Sequence, residues 1–369
     1  MKTIHLVYPF DLTKNYSPWE EGNQIYKSLK DIYNFKIYNW MSFQKIHPKK
    51  GDILLGHPHS FPFTTFRNSL SNKNWEKVII YQPYNEDPFQ LSYINRFINE
   101  CDQFIALCGD YWFKRVNKSI FNEWTNIIDQ IDLCINSNLY PFIKDKFNKK
   151  GERKFLYIGN DYSYNNYAKN TDYLEEISKK FEKNTFGSIG NKKFKNFQNY
   201  GWLNLKDKKN LDIIKKYDFI IHTSTNDANP STVLEGMSWG LVPIITKETG
   251  HSEDSIIYIP LNDISNTKKI LDFYQNEDEK NLIEIQQKNL KLVNEKYNWK
   301  NYRKKIRELV LKKKSNRVLI SRSSKKIFFQ NEKKSPNYFL NLKTIYSVSK
   351  YNLSLLVKYL IYEKKQKKI

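Results

Sequence analysis

Short apolar runs alternate with amphipathic stretches over the first 135 residues. Ile4–Tyr8, Ile53–Leu55, Val78–Tyr81 and Phe104–Leu107 read as buried strands, and Glu20–Tyr33 and Phe89–Asn99 as helices. Continuous apolar runs separated by helical periodicity predict a parallel, doubly wound α/β sheet. Leu139–Lys150 carries a Pro, several Lys and little periodicity, and reads as a linker. The pattern then restarts. Lys154–Ile158, Phe186–Ile189, Asp218–His222, Val242–Thr246 and Ile256–Ile259 read as strands, and Asp172–Lys183 and Pro230–Gly240 as helices. Helical patterns follow at Asn262–Gln275, Leu282–Tyr297 and Trp299–Lys313. The expected organisation is a first Rossmann-like domain over 1–140, a second over 141–298, a closing helix over 299–314 and a tail over 315–369.

The tail changes the picture. It is polar and unpatterned over Ser315–Pro336; then Leu342, Ile345, Tyr346, Leu353, Leu356, Val357 and Leu360 fall on one helical face, away from Lys343, Lys350 and Lys358. Such a basic amphipathic helix suits an anionic membrane surface or docks its apolar face on the body of the protein. Residues 312–369 hold 14 Lys and 2 Arg against 2 Glu, which leaves the first 311 residues with +8 of the net +22. The folded part is therefore only mildly basic, and a nucleic-acid partner is not expected. Cys101, Cys108 and Cys134 are odd in number with no CxxC pair, which predicts a reducing cytoplasm. No 18-residue apolar run marks a spanning helix, and Met1–Phe10 reads as a first strand rather than a signal peptide.

The stretch richest in chemistry is Ile221–Gly250. A strand ends at His222, a polar loop follows, Asn229-Pro230 opens a helix, and Gly240 ends it. In an open parallel sheet, ligands bind at strand carboxyl ends, and a helix N-terminus favours phosphate. Glu235, one turn further on, is placed to accept the hydroxyls of a ribose.

The run Asp227-Ala-Asn-Pro-Ser-Thr-Val-Leu-Glu235-Gly-Met-Ser-Trp-Gly240-Leu-Val-Pro243 resembles the signature of the retaining GT-B glycosyltransferases of family 4, the glycosyl transferases group 1. Phe155–Asp172, Thr249–Glu253 and Glu295–Val310 resemble the family's phosphate-binding entry, its following Gly-rich loop and its closing helix. The resemblance covers roughly 150–312. It implies two Rossmann-like domains facing a cleft, a nucleotide-sugar substrate, no resident cofactor and no metal. It implies that Glu235 holds the donor ribose and that Asp227, a methylene shorter than the usual Glu, faces the donor sugar. Lys169 would neutralise the diphosphate. Gly159 and Asn160 would flank it, Asn160 standing where the family has Arg, and the backbone of Asn229, Pro230, Ser231 and Thr232 would line sugar and phosphates. The absence of any D-x-D pair also speaks against a GT-A transferase.

His57 and His59 follow the strand Ile53–Leu55, where one of them would serve acceptor or donor sugar; a zinc site from the pair lacks a third ligand. Ser17-Pro18 and Gly22-Asn23, in a loop Pro9–Gly22, are further candidates to line the cleft. Trp112, Trp124, Tyr84 and Phe89 read as packing before sugar stacking, and Cys101 and Cys108 as small core residues. The expected activity is transfer of a sugar to a growing glycan, lipid-linked at the cytoplasmic face of a membrane. A GT-B nucleotide-sugar epimerase and a GT-B-like partner without catalysis are the rivals.

Overall fold

The computed structural model describes residues 1–160, 166–205, 207–314, 319–321, 323, 326 and 342–366. The chain forms two compact units: Met1–Cys108, Trp112–Ile131 and Tyr302–Ile369 in the first, Gly109–Tyr111 and Asp132–Asn301 in the second.

The first unit is built on six parallel strands, β1 (Thr3–Val7), β2 (Asn34–Tyr38), β3 (Asp52–Gly56), β4 (Trp75–Pro83), β5 (Gln103–Leu107) and β6 (Ile128–Ile131). Their spatial order is β2-β1-β3-β4-β5-β6. β3 and β5 are buried at every position, as a parallel sheet covered on both faces demands. The helix Trp299–Leu311 ends against this sheet: buried Lys77 of β4 donates to the carbonyls of Leu309, Val310 and Lys312 at 3.3, 3.2 and 2.8 Å, and so satisfies the helix C-terminus.

The second unit repeats the architecture with β7 (Phe155–Ile158), β8 (Phe186–Ile189), β9 (Phe197–Asn199), β10 (Phe219–His222), β11 (Val242–Ile245) and β12 (Ile257–Tyr258), in the order β12-β11-β10-β7-β8-β9. Alternate residues of each strand enter different cores. Leu156, Ile158 and Ile220 pack with Val233, Leu234 and Met237 of the helix Ser231–Trp239, while Phe155, Tyr157, Phe219 and Ile221 pack on the opposite face with Tyr173, Leu174 and Leu271. Gly236 lets that helix approach the sheet, because a Cβ there would lie 2.8 Å from Ile220 side-chain carbons. Strand order reverses between β7 and β10, and the crevice outside their carboxyl ends is where such a sheet takes ligands.

Several expectations are corrected. Phe89–Asn99 is not one helix but a short turn of α-helix over Pro88–Leu91 followed by 3₁₀ turns over Ser92–Arg96 and Ile98–Glu100. Leu91, Ile94 and Phe97 recur every three residues, the 3₁₀ period. Leu139–Lys150 is not a free linker but part of the second unit. The Ile143 and Lys144 N–H groups donate to the Trp239 carbonyl at 3.1 and 3.0 Å, and Lys144 forms a fully buried ion pair with Asp218 at 2.8 Å. Gly22 lies within the helix Trp19–Leu29, not in a loop, and its bare Cα meets the Pro9 carbonyl, 2.0 Å from where a Cβ would sit. Trp112, Trp124, Tyr84, Cys101 and Cys108 are all buried and pack; Phe89's side chain and residues 161–165 lie outside the described residues.

Candidate active site

At the carboxyl ends of β7, β8 and β9 the backbone forms a ledge without side chains. The Gly159 N–H donates to the Ile189 carbonyl at 3.0 Å, and the Gly190 N–H to the Gly201 carbonyl at 2.9 Å. Gly190 has φ of +143°, and a Cβ on it would lie 1.9 Å from the Gly159 oxygen. Asn160 continues from this ledge, half-buried.

On the other side of the switch point, β10 feeds a polar cluster. His222, its last residue, is wholly buried; Ser224 Oγ stands 2.8 Å from its Nδ1, and its Nε2 has no partner among the described residues. Burial, with Lys169 nearby, lowers the His222 pKa to about 3, so the ring is neutral. Ser224 Oγ also donates to Asp227 Oδ2 at 3.4 Å, and Lys169, which ends the short helix Asn166–Lys169, pairs directly with the same carboxylate. Burial pushes the Asp227 carboxyl up, but Lys169, His222 and the Ala228 N–H outweigh it and hold its pKa below the ordinary carboxylate value.

The loop is clamped by its backbone: the Asp227 N–H donates to the Glu248 carbonyl and the Asn229 N–H to the Thr249 carbonyl, both at 2.9 Å. Asn229 is left-handed, with φ of +58°, and wholly buried, and neither its Oδ1 nor its Nδ2 has a partner among the described residues. The helix Ser231–Trp239 follows, with Pro230 at its N-cap and no side-chain cap hydrogen bond among the described residues. The backbone N–H groups of this helix start, without a side-chain cap among the described residues, are available to an anion. Ser231 and Thr232 occupy the first helical turn, and Glu235 lies one turn on, half-buried.

The family-like loop Thr249–Glu253 supplies Glu253 and His251 to a charged cluster with Lys296, Asp110 and Asp132, partners that the sequence did not announce. Lys296 Nζ is 2.7 Å from Glu253, 3.7 Å from Asp110 and 3.8 Å from Asp132, and the Tyr297 hydroxyl donates to Glu253. Buried His251 stands with Nδ1 3.3 Å from Glu253. Burial raises the Asp132 carboxyl to about 6 despite Lys296, whereas burial of Glu253 is outweighed by His251 and Lys296, which hold its carboxyl far below the usual range.

The structure brings Gly159, Asn160, Lys169, Asp227, Asn229, Pro230, Ser231, Thr232 and Glu235 into the second unit, on the elements that meet at its switch point. His57 and His59 belong to the first unit, in the loop after β3. Their rings are 5.9 Å apart, and His57 tilts against Trp40 at 4.9 Å. Burial chiefly lowers both, His57 to about 3 and His59 to about 4, so neither is a cation at neutral pH. His59 Nδ1 accepts the Phe61 N–H at 3.0 Å, which fixes its tautomer, while His57 Nδ1 has no partner among the described residues. Ser17 donates to Glu21 at 2.6 Å, and so does the Tyr8 hydroxyl; this buried carboxylate, raised by desolvation, was not singled out from the sequence. His222 was missed too, since a histidine ending an apolar run reads as core, and His251 was read only as part of the loop Thr249–Glu253.

No family model matches the sequence, and no curated protein matches it. Solved structures do. Sucrose-phosphate synthase from Thermosynechococcus elongatus aligns with a TM-score of 0.62 at 9% identity, over 84% of this chain and 98% of that one. An alpha-glucosyltransferase in complex with UDP-glucose and DNA containing an abasic site aligns at 0.51 and 12%, over 84% and 98%. TarM aligns at 0.50 and 15% over 72% of this chain, which spans 55% of TarM's length. The two parallel six-stranded sheets and these likenesses show the GT-B fold.

Proposed function

We propose that the protein is a glycosyltransferase that moves a sugar from a nucleotide-sugar donor, held by the second unit, to a glycan acceptor with retention of configuration and without a metal. The observation that carries this is the partly exposed Lys169–Asp227 pair at the switch point, beside the start of the helix Ser231–Trp239, which has no side-chain cap among the described residues. Enzymes of the same fold that bear glycosyl-transfer names, one of them in complex with UDP-glucose, support the reading.

In this reading the diphosphate sits against the Gly159–Gly190 ledge and the start of the helix, where the N–H groups of the first helical turn and Lys169 meet its charge without a metal. Glu235 accepts the ribose hydroxyls. The bond from the anomeric carbon to the phosphate oxygen breaks; the acceptor hydroxyl oxygen bonds to that carbon on the same face, and its proton passes to the departing phosphate. Asp227 stabilises the positive charge that builds on the sugar ring. The acceptor is a glycan, lipid-linked at the cytoplasmic face of a membrane, with His57 or His59 as a neutral hydrogen-bonding partner.

The test is a thermal shift with UDP, GDP, ADP and CMP and their common sugar conjugates. A ligand at about 100 times its Kd stabilises by roughly 2.7 kcal/mol. One nucleotide family is expected to give that shift, and Glu235→Ala to lose it. No shift with any nucleotide or conjugate would overturn the reading.

A further inference from the structure

The helix Leu342–Gln366 belongs to the first unit and has two apolar faces. One is docked. Leu355 is 1% exposed, Tyr359 stacks on Phe63 at 4.4 Å and meets Phe43 at 5.7 Å, and Tyr362 meets Phe43 at 5.9 Å. Phe43 lies in the loop after β2. Phe61 and Phe63 lie in the loop after β3, and Phe61 is the residue whose N–H fixes His59. The helix is thus anchored on the loop that carries the candidate acceptor histidines.

The other face is open. Leu353, Leu356, Val357, Leu360 and Ile361 recur at helical spacing opposite the docked side chains, and they are 61, 37, 50, 56 and 53% exposed. Lys350, Lys358, Lys364 and Lys365 are exposed around them. Glu363 is the one acidic residue in the sequence from 342 to 366. The stripe is aliphatic, rimmed by lysine and part of a strongly basic tail. Protein interfaces are instead depleted in Lys and enriched in aromatics, whereas this composition suits the boundary between acyl chains and anionic headgroups. The stripe is about 12 Å long at 1.5 Å per residue. No helix among the described residues is long and apolar enough to cross a membrane.

We propose that this helix is a two-faced adapter: Leu355, Tyr359 and Tyr362 hold it on the first unit while Leu353, Leu356, Val357, Leu360 and Ile361 enter the surface of an anionic bilayer. The loop of His57 and His59 is thereby tethered to the lipid surface. On the reading of the protein as a glycosyltransferase, the acceptor is then a glycan on a lipid anchor.

The test is co-sedimentation of the full chain with vesicles of phosphatidylcholine alone and of phosphatidylcholine with about a third phosphatidylglycerol. Three proteins are compared: wild type, Leu356→Ser/Leu360→Ser and Lys358→Glu/Lys365→Glu. Wild type is expected to bind the anionic vesicles at least tenfold more tightly than the neutral ones, and each double variant to lose about tenfold or more. All three should keep the same circular dichroism, since the altered side chains are exposed. Absence of wild-type binding, or binding that the apolar variant retains, overturns the proposal. So does a concentration-dependent dimer abolished by Leu356→Ser/Leu360→Ser in protein that ignores vesicles, or duplex-DNA binding in such protein. The assay contains no nucleotide. Vesicle binding without any nucleotide shift would therefore sink the glycosyltransferase reading and leave the adapter standing.

Discussion

At the residue scale the sharpest question is what Lys169 does. In the structure its ammonium neutralises Asp227, and Ser224 ties that carboxylate to neutral His222. In the proposed reading, a diphosphate entering at the helix start would compete for the same ammonium and leave Asp227 to face the sugar. The two residues are therefore expected to fail differently. Lys169→Met removes a charge-assisted contact worth about 1.5–3 kcal/mol, so nucleotide affinity should fall roughly 10- to 100-fold. Asp227→Asn keeps the shape but removes the charge that meets the oxocarbenium-like centre; it should bind nucleotide about as well and lose on the order of 100-fold in kcat. Calorimetric titration with the nucleotide, set beside turnover, separates them. Equal loss of affinity in both variants would make the pair a purely structural salt bridge.

At the element scale the ledge of Gly159 and Gly190 and the helix Ser231–Trp239 frame the proposed site, and they differ in how well the sequence shows them. β7, β10 and that helix were legible because a buried parallel strand leaves a continuous apolar run, and Asn229-Pro230 and Gly240 punctuate the helix at both ends. β2 was not, because three of its five residues are exposed at the sheet edge; β9 is only three residues long. The ledge was invisible for another reason: Gly190 and Gly159 meet only through strand order, which no local pattern encodes. Gly190→Ala tests its importance. With φ of +143° and a backbone oxygen 1.9 Å from the new Cβ, β7 and β8 must part. The variant is expected to lose more than about 1 kcal/mol in urea unfolding and its nucleotide-induced thermal shift with it. An intact shift would place the phosphates elsewhere.

At the scale of the whole molecule, both units hold histidines that must stay neutral. His57 and His59 in the first and His222 in the second have pKa values lowered to about 3, 4 and 3, against about 6.5 in an unfolded chain. Between those limits the unfolded chain binds more protons than the native one, so stability falls as pH drops below about 6.5. Asp132, raised to about 6, works the other way: it favours the native state as pH falls from about 6 towards 4. Buried Glu21 and Glu86, raised by desolvation, act with Asp132, and His5, lowered by burial, acts with the other histidines; the three large histidine shifts outweigh the carboxylates, and self-repulsion in a chain of net charge +22 grows as carboxylates protonate. Net loss of stability is therefore expected on going from pH 7 to pH 5, read as a falling urea midpoint. His222→Gln should flatten that slope, because glutamine keeps a hydrogen-bonding group without a proton to gain. A midpoint that holds steady or rises towards pH 5 in wild type would mean that these rings are already solvated in the native state. The buried cluster around β10 would then not have the dry electrostatics on which the roles of Lys169 and Asp227 depend.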